Sequence, residues 1–417
     1  MIAYEQALAI LLRESAPLPT ERIAAQRAIG RVLATAIASP GWLPPFDNSA
    51  MDGFALRSGG ALAAAGAEFA VLGSQAAGDP AATAGEGAWE IMTGARIPDG
   101  LDAVVPVERV DVLARGPSER PLRIRLLQDV PHGQHIRRRG EDVAPGVALM
   151  APGTLVAPQQ LVVLAALGVA EVAVHQRPRV AVLATGRELV AEARPLRPGE
   201  IRDSNGPFLQ ARLEAAGARI VLVETLGDDP AAFRVALRRA LLAGSDLVIS
   251  TGAVSMGRHD FVPGVLREEE AQLHFHKVGI RPGKPLLFAR LAEGPLYFGL
   301  PGNPVSSAVG LRFFVEPVLR RMLGMATERP LRVPLADRFG KGHPLRTFLK
   351  ARLDCDATGQ LRARVLAGQE SFRIVPLLAT GAWVVLPEDA AELEAGSPVD
   401  VHGLGHLEPP VPMGEAA

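Results

Sequence analysis

The chain of 417 residues predicts a multidomain protein of α/β and β type, centred on a three-layer α/β domain with a parallel-type sheet. Three observations carry that prediction. From Arg179 onward, apolar runs of strand length alternate with helical patterns, the order that builds parallel strands with crossover helices. On both sides of that stretch the text changes to short β-like runs broken by Gly, Pro and Asp. The length exceeds what one hydrophobic core normally fills. With 48% apolar but only 5% aromatic residues, the cores must be built mainly of Val, Leu, Ile and Ala.

The elements follow in order. MIAYEQALAILLRES has apolar residues at helical spacing, and the first forty residues are helical in pattern until SPGWLPPF breaks the chain with Pro40, Pro44 and Pro45. Residues 46–139 carry EFAVLG, AWEIMTG, DAVVPVE and LRIRLL, the runs of a β-rich insert domain. A helix then opens near Pro158 and closes at Gly168. Packed back on the N-terminal helix, it would make 1–45 and 140–177 one discontinuous helical linker domain. Residues 178–326 read as the α/β domain: strands RVAVLAT, RIVLVET, SDLVIST and PLYFGL, helices from Ser204 or Asn205 and from Pro230, and a closing helix NPVSSAVGLRFFVEPVLRRMLG. The remainder, 327–417, returns to short β runs (RVPLADRF, LKARLDC, AWVVLPE, SPVDVHG) as a C-terminal β domain with a loose tail.

Composition excludes several function classes. Forty-four basic against forty-five acidic residues leave a net charge of −1, which argues against a nucleic-acid-coating protein or a polybasic membrane binder. The longest apolar run, from Leu161, is short and interrupted by Glu171, and the N-terminus lacks signal-peptide character, so a cytoplasmic protein without a membrane partner is expected. One cysteine, Cys355, forbids an intrachain disulfide and fits a reducing compartment. No Walker A or dinucleotide fingerprint occurs, since GIRPGKP has Pro285 where Ser or Thr is needed.

Ligands of open parallel sheets sit beyond the carboxyl ends of the strands. The residues there are Thr185 to Glu188, Gly227 to Asp229, Thr251 to Asp260, and Pro301 to Ser306. Small residues that admit a phosphate recur beside carboxylates, a combination that calls for Mg²⁺ between them. Asp228 or Asp229 before Pro230 could equally be an N-cap. HKVGIRPGKP gathers Lys277, Arg281 and Lys284, either to hold an oxyanion or as a solvated edge. In IRRRGED the charges read as self-paired. PPFDNSAMDGFA and EIMTGARIP form a second polar surface far along the chain from the α/β domain.

Those strings, with AVLATGREL, IRDSN, STGAVSMGRHDF and LPGNPVS, occur in an order that resembles the molybdopterin molybdenumtransferase family, MoeA and the gephyrin E domain. The resemblance covers essentially the whole chain and is weakest after Leu331. It implies a four-domain homodimer with a MogA-like molybdopterin-binding domain. The implied reaction is Mg²⁺-dependent insertion of molybdate, as substrate, into adenylylated molybdopterin with release of AMP. Implied partners are adenylylated molybdopterin, molybdate, a second copy of the chain and, transiently, molybdopterin adenylyltransferase and apo-molybdoenzymes. The alternatives are a non-catalytic or tungstate-specialised paralogue that binds molybdopterin, and a scaffold of gephyrin type.

Carried over by position, the resemblance implies catalytic roles for Asp52, Thr93, Asp228 and Asp260, and a metal site at Glu188 and Asp260. It implies substrate binding by Gly252, Ser255, Lys277, Arg281, Lys284, Pro301, Gly302, Asn303, Pro304 and Ser306. Molybdate contacts fall on Lys277, Arg281, Ser306, Lys350 and Ser371. Four positions depart from the family pattern: Arg187 stands for Asp, Ala253 for Gly, Arg281 for Lys and Lys350 for Arg. Arg187 either pairs with a neighbouring acid or alters the metal site, and Ala253 adds a methyl where a ligand would approach.

Overall fold

A computed structural model describes residues 1–191, 193–254, 261–356 and 358–412. The N-terminal helix is Tyr4–Glu14 only, not the forty residues its pattern predicts, because Pro17 and Pro19 cannot continue it. The chain then forms strand Thr20–Ala24, paired antiparallel with Glu171–His175, while Ile37–Ala38 pairs with Ala148–Met150. Strands, not helices, therefore join the segments on either side of the insert. The two helices expected to pack together do not. Ala7 and Leu11 of the first enter the core of the α/β domain beside helix Glu316–Met322, whereas Leu164 of helix Pro158–Ala166 packs with Ala25, Ala28 and Val172. Leu11 and Ala7 are the buried stripe of an amphipathic helix, and the larger apolar face available to that stripe lies on the α/β domain.

The insert holds a six-stranded sheet in the order Ala103–Pro106, Gly53–Leu56, Ala88–Ile91, Glu68–Gln75, Pro121–Leu126 and Val110–Arg115. Phe54, Val105, Ile124 and Leu126 fill its core. Gly53 is needed where the first two strands meet, because a Cβ there would lie 1.9 Å from the Val105 carbonyl oxygen.

In the central domain, strands Arg219–Leu226, Arg179–Thr185, Leu247–Thr251 and Leu296–Leu300 run parallel and adjacent in that order. Successive side chains alternate between two cores: Val180, Val182 and Ile249 face one layer of helices, Ala181, Leu183 and Val248 the other. The sheet is mixed, since Leu287–Arg290 pairs antiparallel with Leu296–Leu300, and Gln272–Phe275 antiparallel with Leu287–Arg290. The closing helix runs Pro304–Gly310 and Glu316–Met322 with a π-helical turn at Leu311–Val315 between them. Pro317 has no N–H to offer the Phe313 carbonyl, which explains the widened turn.

The C-terminal sheet is built on Arg346–Cys355, Ala382–Leu386, Pro398–His402 and Leu331–Pro334. Its edge is completed by Ile280–Arg281 of the central domain, paired parallel with Ile280 opposite Arg346 and Arg281 opposite Thr347. That pairing brings the basic segment against the C-terminal domain. Among the described residues, no helix is long and apolar enough to cross a membrane.

Candidate functional site

The loops after the four parallel strands converge on a cavity of about 620 Å³ whose wall includes Thr185, Glu188, Asp228, Gly252, Pro301 and Asn303. Backbone bonds fix these loops on one another: Gly186 N–H donates to Leu226 O (3.0 Å) and Gly252 N–H to Leu300 O (3.1 Å). The Thr185 hydroxyl donates to Thr251 O (2.9 Å). Gly252 has φ +85, and a Cβ there would lie 2.3 Å from the Thr185 carbonyl oxygen, so only glycine fits. Its neighbour Ala253 takes the left-handed conformation with a side chain, at φ 49, and lines the same wall.

Two adjacent aspartates divide the roles that sequence left open. Asp229 caps helix Pro230–Leu242, its Oδ1 accepting from Ala231 N–H at 2.9 Å. Asp228 lines the cavity instead. Glu188 is on the same wall, whereas the charge-reversing Arg187 is exposed, lines none of the cavity, and has no ion-pair partner among the described residues. Asp203 and Asn205, from IRDSN, also line the cavity, although the sequence points to no ligand role for either and offers Asn205 only as a helix start. Asp203 accepts from Gly206 N–H (2.9 Å) and the Thr225 hydroxyl (3.0 Å), which ties the start of helix Asn205–Ala215 to the sheet. Asn205 Nδ2 donates to Gly302 O (2.7 Å), bracing the Pro-Gly-Asn-Pro turn. The signal was their place after the short strand Ile201–Arg202, which itself escaped the strand pattern. Ser255 and Asp260 lie outside the described residues.

A second cavity, about 760 Å³, opens between the central and C-terminal domains and is lined by Arg281, Lys284, Ser306, His343 and Ser371 among others. Asn303 borders both cavities, with Pro285 and Phe372. Its Nδ2 donates to the Ser371 hydroxyl (3.1 Å), and Val305 N–H donates to Ser371 O (3.1 Å), so the turn that closes the first cavity also positions the serine of the second. Lys277 lines neither cavity; its carbonyl accepts from Ile2 N–H (3.0 Å). Lys350 lines neither cavity. Its side chain is fully buried, and the ammonium donates to Gly368 O (2.6 Å) and Arg373 O (3.0 Å), clamping both ends of the segment that carries Ser371. Burial pushes that ammonium below the usual lysine range.

Asp52 and Thr93 meet on the insert domain, where Thr93 N–H donates to Asp52 Oδ1 at 2.6 Å. That bond and one from the Thr93 side chain hold the exposed Asp52 carboxyl below the usual carboxylate range. Neither residue lines either cavity. IRRRGED is only partly self-paired: Arg138 N–H donates to Glu141, but its guanidinium pairs with Asp47 of PPFDNSAMDGFA at 2.8 Å. A third cavity, about 470 Å³, lies between the N-terminal helix and residues 312–328, away from every strand-end loop.

Family models match in sequence along nearly all of the chain: the MoeA N-terminal region (domain I and II) at residues 2–168, a probable molybdopterin binding domain at 181–321, and the MoeA C-terminal region (domain IV) at 332–404. A molybdopterin molybdenumtransferase of Synechococcus elongatus is 38% identical over 97% of this chain and 100% of its own length. One of Haemophilus influenzae is 34% identical over 98% of this chain and 100% of its own. Among solved structures, a molybdopterin biosynthesis MoeA protein of Pyrococcus horikoshii superposes with a TM-score of 0.79 at 30% identity, covering 96% of this chain and 99% of that one.

Proposed function

We infer the chemistry of these two cavities from one premise: the chain belongs to the MoeA family, and is a molybdopterin molybdenumtransferase of molybdenum cofactor biosynthesis. As such it binds molybdopterin, with molybdate as the implied second substrate. The finer reading is that adenylylated molybdopterin occupies the first cavity and molybdate the second, and that water cleaves the phosphoanhydride to release AMP while the dithiolene takes molybdenum. The observation that carries it is the shared wall: Asn303 borders both cavities and is hydrogen-bonded to Ser371. Two ligands held on opposite sides of one side chain react as neighbours, so positioning supplies much of the rate.

Gly252 gives the pyrophosphate a wall without a side chain, and the Pro-Gly-Asn-Pro turn, braced by Asn205, excludes it from solvent on the other side. Arg281 and Lys284 supply charge for the oxyanion, with the Ser306 and Ser371 hydroxyls as neutral donors. Lys350 acts by fixing the Ser371 segment. The donor set of the first cavity suits Mg²⁺, which takes hard oxygen ligands, one or two of them protein carboxylates, and keeps its remaining places for water and phosphate. Glu188 and Asp228 are such carboxylates and accept no hydrogen bond from a described residue; no cluster of three metal-binding side chains occurs among the described residues. When bound, Mg²⁺ would neutralise the pyrophosphate and polarise the bond being broken. Asp52 and Thr93 act in this reading from a second copy of the chain, the exposed pair being flanked by exposed Met51 and Met92. The departures do not favour a non-catalytic scaffold, since Arg187 is exposed and lines none of the cavity and Ala253 keeps the backbone conformation of a glycine.

The neighbouring aspartates test this reading. With adenylylated molybdopterin, Mg²⁺ and molybdate supplied, Asp228→Ala should lower AMP release by about a hundredfold. Asp229→Ala should leave turnover intact and cost about 1 kcal/mol of stability by loss of a cap. Equal rates for the wild type and Asp228→Ala would sink the assignment of the first cavity.

A further inference from the structure

We propose that His343 is an oxyanion-binding residue of the second cavity and takes up a proton as the oxyanion enters. The inference rests on the reading of that cavity as the molybdate site, and adds a residue that neither the sequence motifs nor the family resemblance assigned.

His343 lines the cavity with Arg281, Lys284, Ser306 and Ser371. Its Nδ1 is buried and has no hydrogen-bond partner on any other described residue, an omission that native structures normally repair with a ligand or water. The charged groups around it are Arg281 and Lys284 from the segment at the domain junction, Lys341 from its own segment, and Glu370 opposite, the only carboxylate on the cavity wall among the described residues. Lys341 is not free to meet an anion: its ammonium donates to the carbonyls of Leu345, Pro387 and Glu388, with Glu388 and Asp389 as its nearest acids. Glu388 is further engaged by Arg346. An anion entering the cavity therefore finds Arg281, Lys284, two hydroxyls and an imidazole with an idle nitrogen.

Without an anion, desolvation first, then the charges of Arg281 and Lys341, hold the imidazole below the usual histidine range, so it is neutral near pH 7. A dianion placed among these groups reverses the balance. It offsets the cations and offers an acceptor to which a protonated ring donates a charge-assisted hydrogen bond. The sign follows: the bound-state pKa lies above the free value, binding takes up protons between the two, and affinity falls as pH rises through the bound-state value.

Titration calorimetry with the full-length protein and dilute molybdate, from about pH 6 to 8.5 in buffers of different ionisation heat, reads this directly. The wild type should take up a fraction of a proton per molybdate, and its affinity should fall with pH by at most about tenfold per unit. His343→Gln, with His343→Asn as a second variant should the first fail to fold, should bind molybdate with that uptake abolished. No proton uptake in the wild type, or equal uptake in a folded variant, overturns the proposal. Arg281→Ala and Ser371→Ala separate this from failure of the underlying reading. If neither weakens wild-type molybdate binding, the cavity is not the oxyanion site and the inference falls with it; if both do and the uptake survives loss of His343, only the inference falls.

Discussion

The first cavity is made of backbone and the second of side chains. Around the first, strand-end glycines, turns and caps set the shape: Gly252 at φ +85, Gly186 bonded to Leu226, and Gly302 braced by Asn205. Around the second, residues of two domains meet across an interface, and the wall includes Arg281, Lys284, Ser306, His343 and Ser371 from segments distant in sequence. Backbone-built sites tolerate almost no added volume. Side-chain-built sites tolerate substitution but depend on buried supports that touch no ligand. These opposite sensitivities can be measured.

The largest effect should come from Gly252→Ala. The new methyl would lie 2.3 Å from the Thr185 carbonyl oxygen, in a backbone conformation that L residues avoid, so the sheet or the loop must shift. Urea unfolding should show a loss of about 3 kcal/mol or more, with AMP release abolished. A variant of near-wild-type stability would mean that this cavity is less rigid than its backbone bonds imply.

Lys350→Met tests the second cavity by its support. The methionine fills a similar volume, but the carbonyls of Gly368 and Arg373 lose their donor, a penalty partly offset because a buried ammonium no longer has to be desolvated. The net cost should be about 2 kcal/mol in urea unfolding. Amide exchange across residues 368–373 should accelerate, and molybdate should bind more weakly although Lys350 lines neither cavity. Unchanged exchange with weakened binding would restore Lys350 as a direct contact.

The same contrast explains what could be read from the sequence. The central domain is legible because most of its parallel strands are apolar runs followed by glycine and its helix Pro230–Leu242 opens on an Asp-Pro cap, and the first cavity follows because strand ends point to it. Gln272–Phe275 and Leu287–Arg290 are not legible, being four-residue strands on either side of a Gly-Pro-rich turn, and the helix before the first of them, Val262–Glu268, is itself only seven residues long. The first helix is legible but its packing partner is not, since an amphipathic stripe records that a face is buried and not what buries it. The resemblance implies a contact at Lys350, yet a position in a motif carries no information about whether a side chain lines a cavity, and this one lines neither. His343 carried no motif at all; only the fold brings it opposite Arg281.

The smallest effect should be at Ala253, where the two kinds of construction compete in one residue. As backbone, Ala253 pays about 1–2 kcal/mol for a side chain at φ 49. As side chain, its methyl packs against the apolar cluster that includes Val254 and Leu183. Ala253→Gly removes the strain but loosens the unfolded chain by about 0.4–1 kcal/mol and deletes one methyl contact. The terms nearly cancel, leaving a net gain of at most about 0.5 kcal/mol. Such a gain, seen as a small upward shift of the urea midpoint with AMP release unchanged, would show that the alanine is a tolerated imperfection in a backbone-built wall. A loss larger than about 0.5 kcal/mol would show instead that the methyl is a structural part of that wall, and that even here packing outweighs conformation.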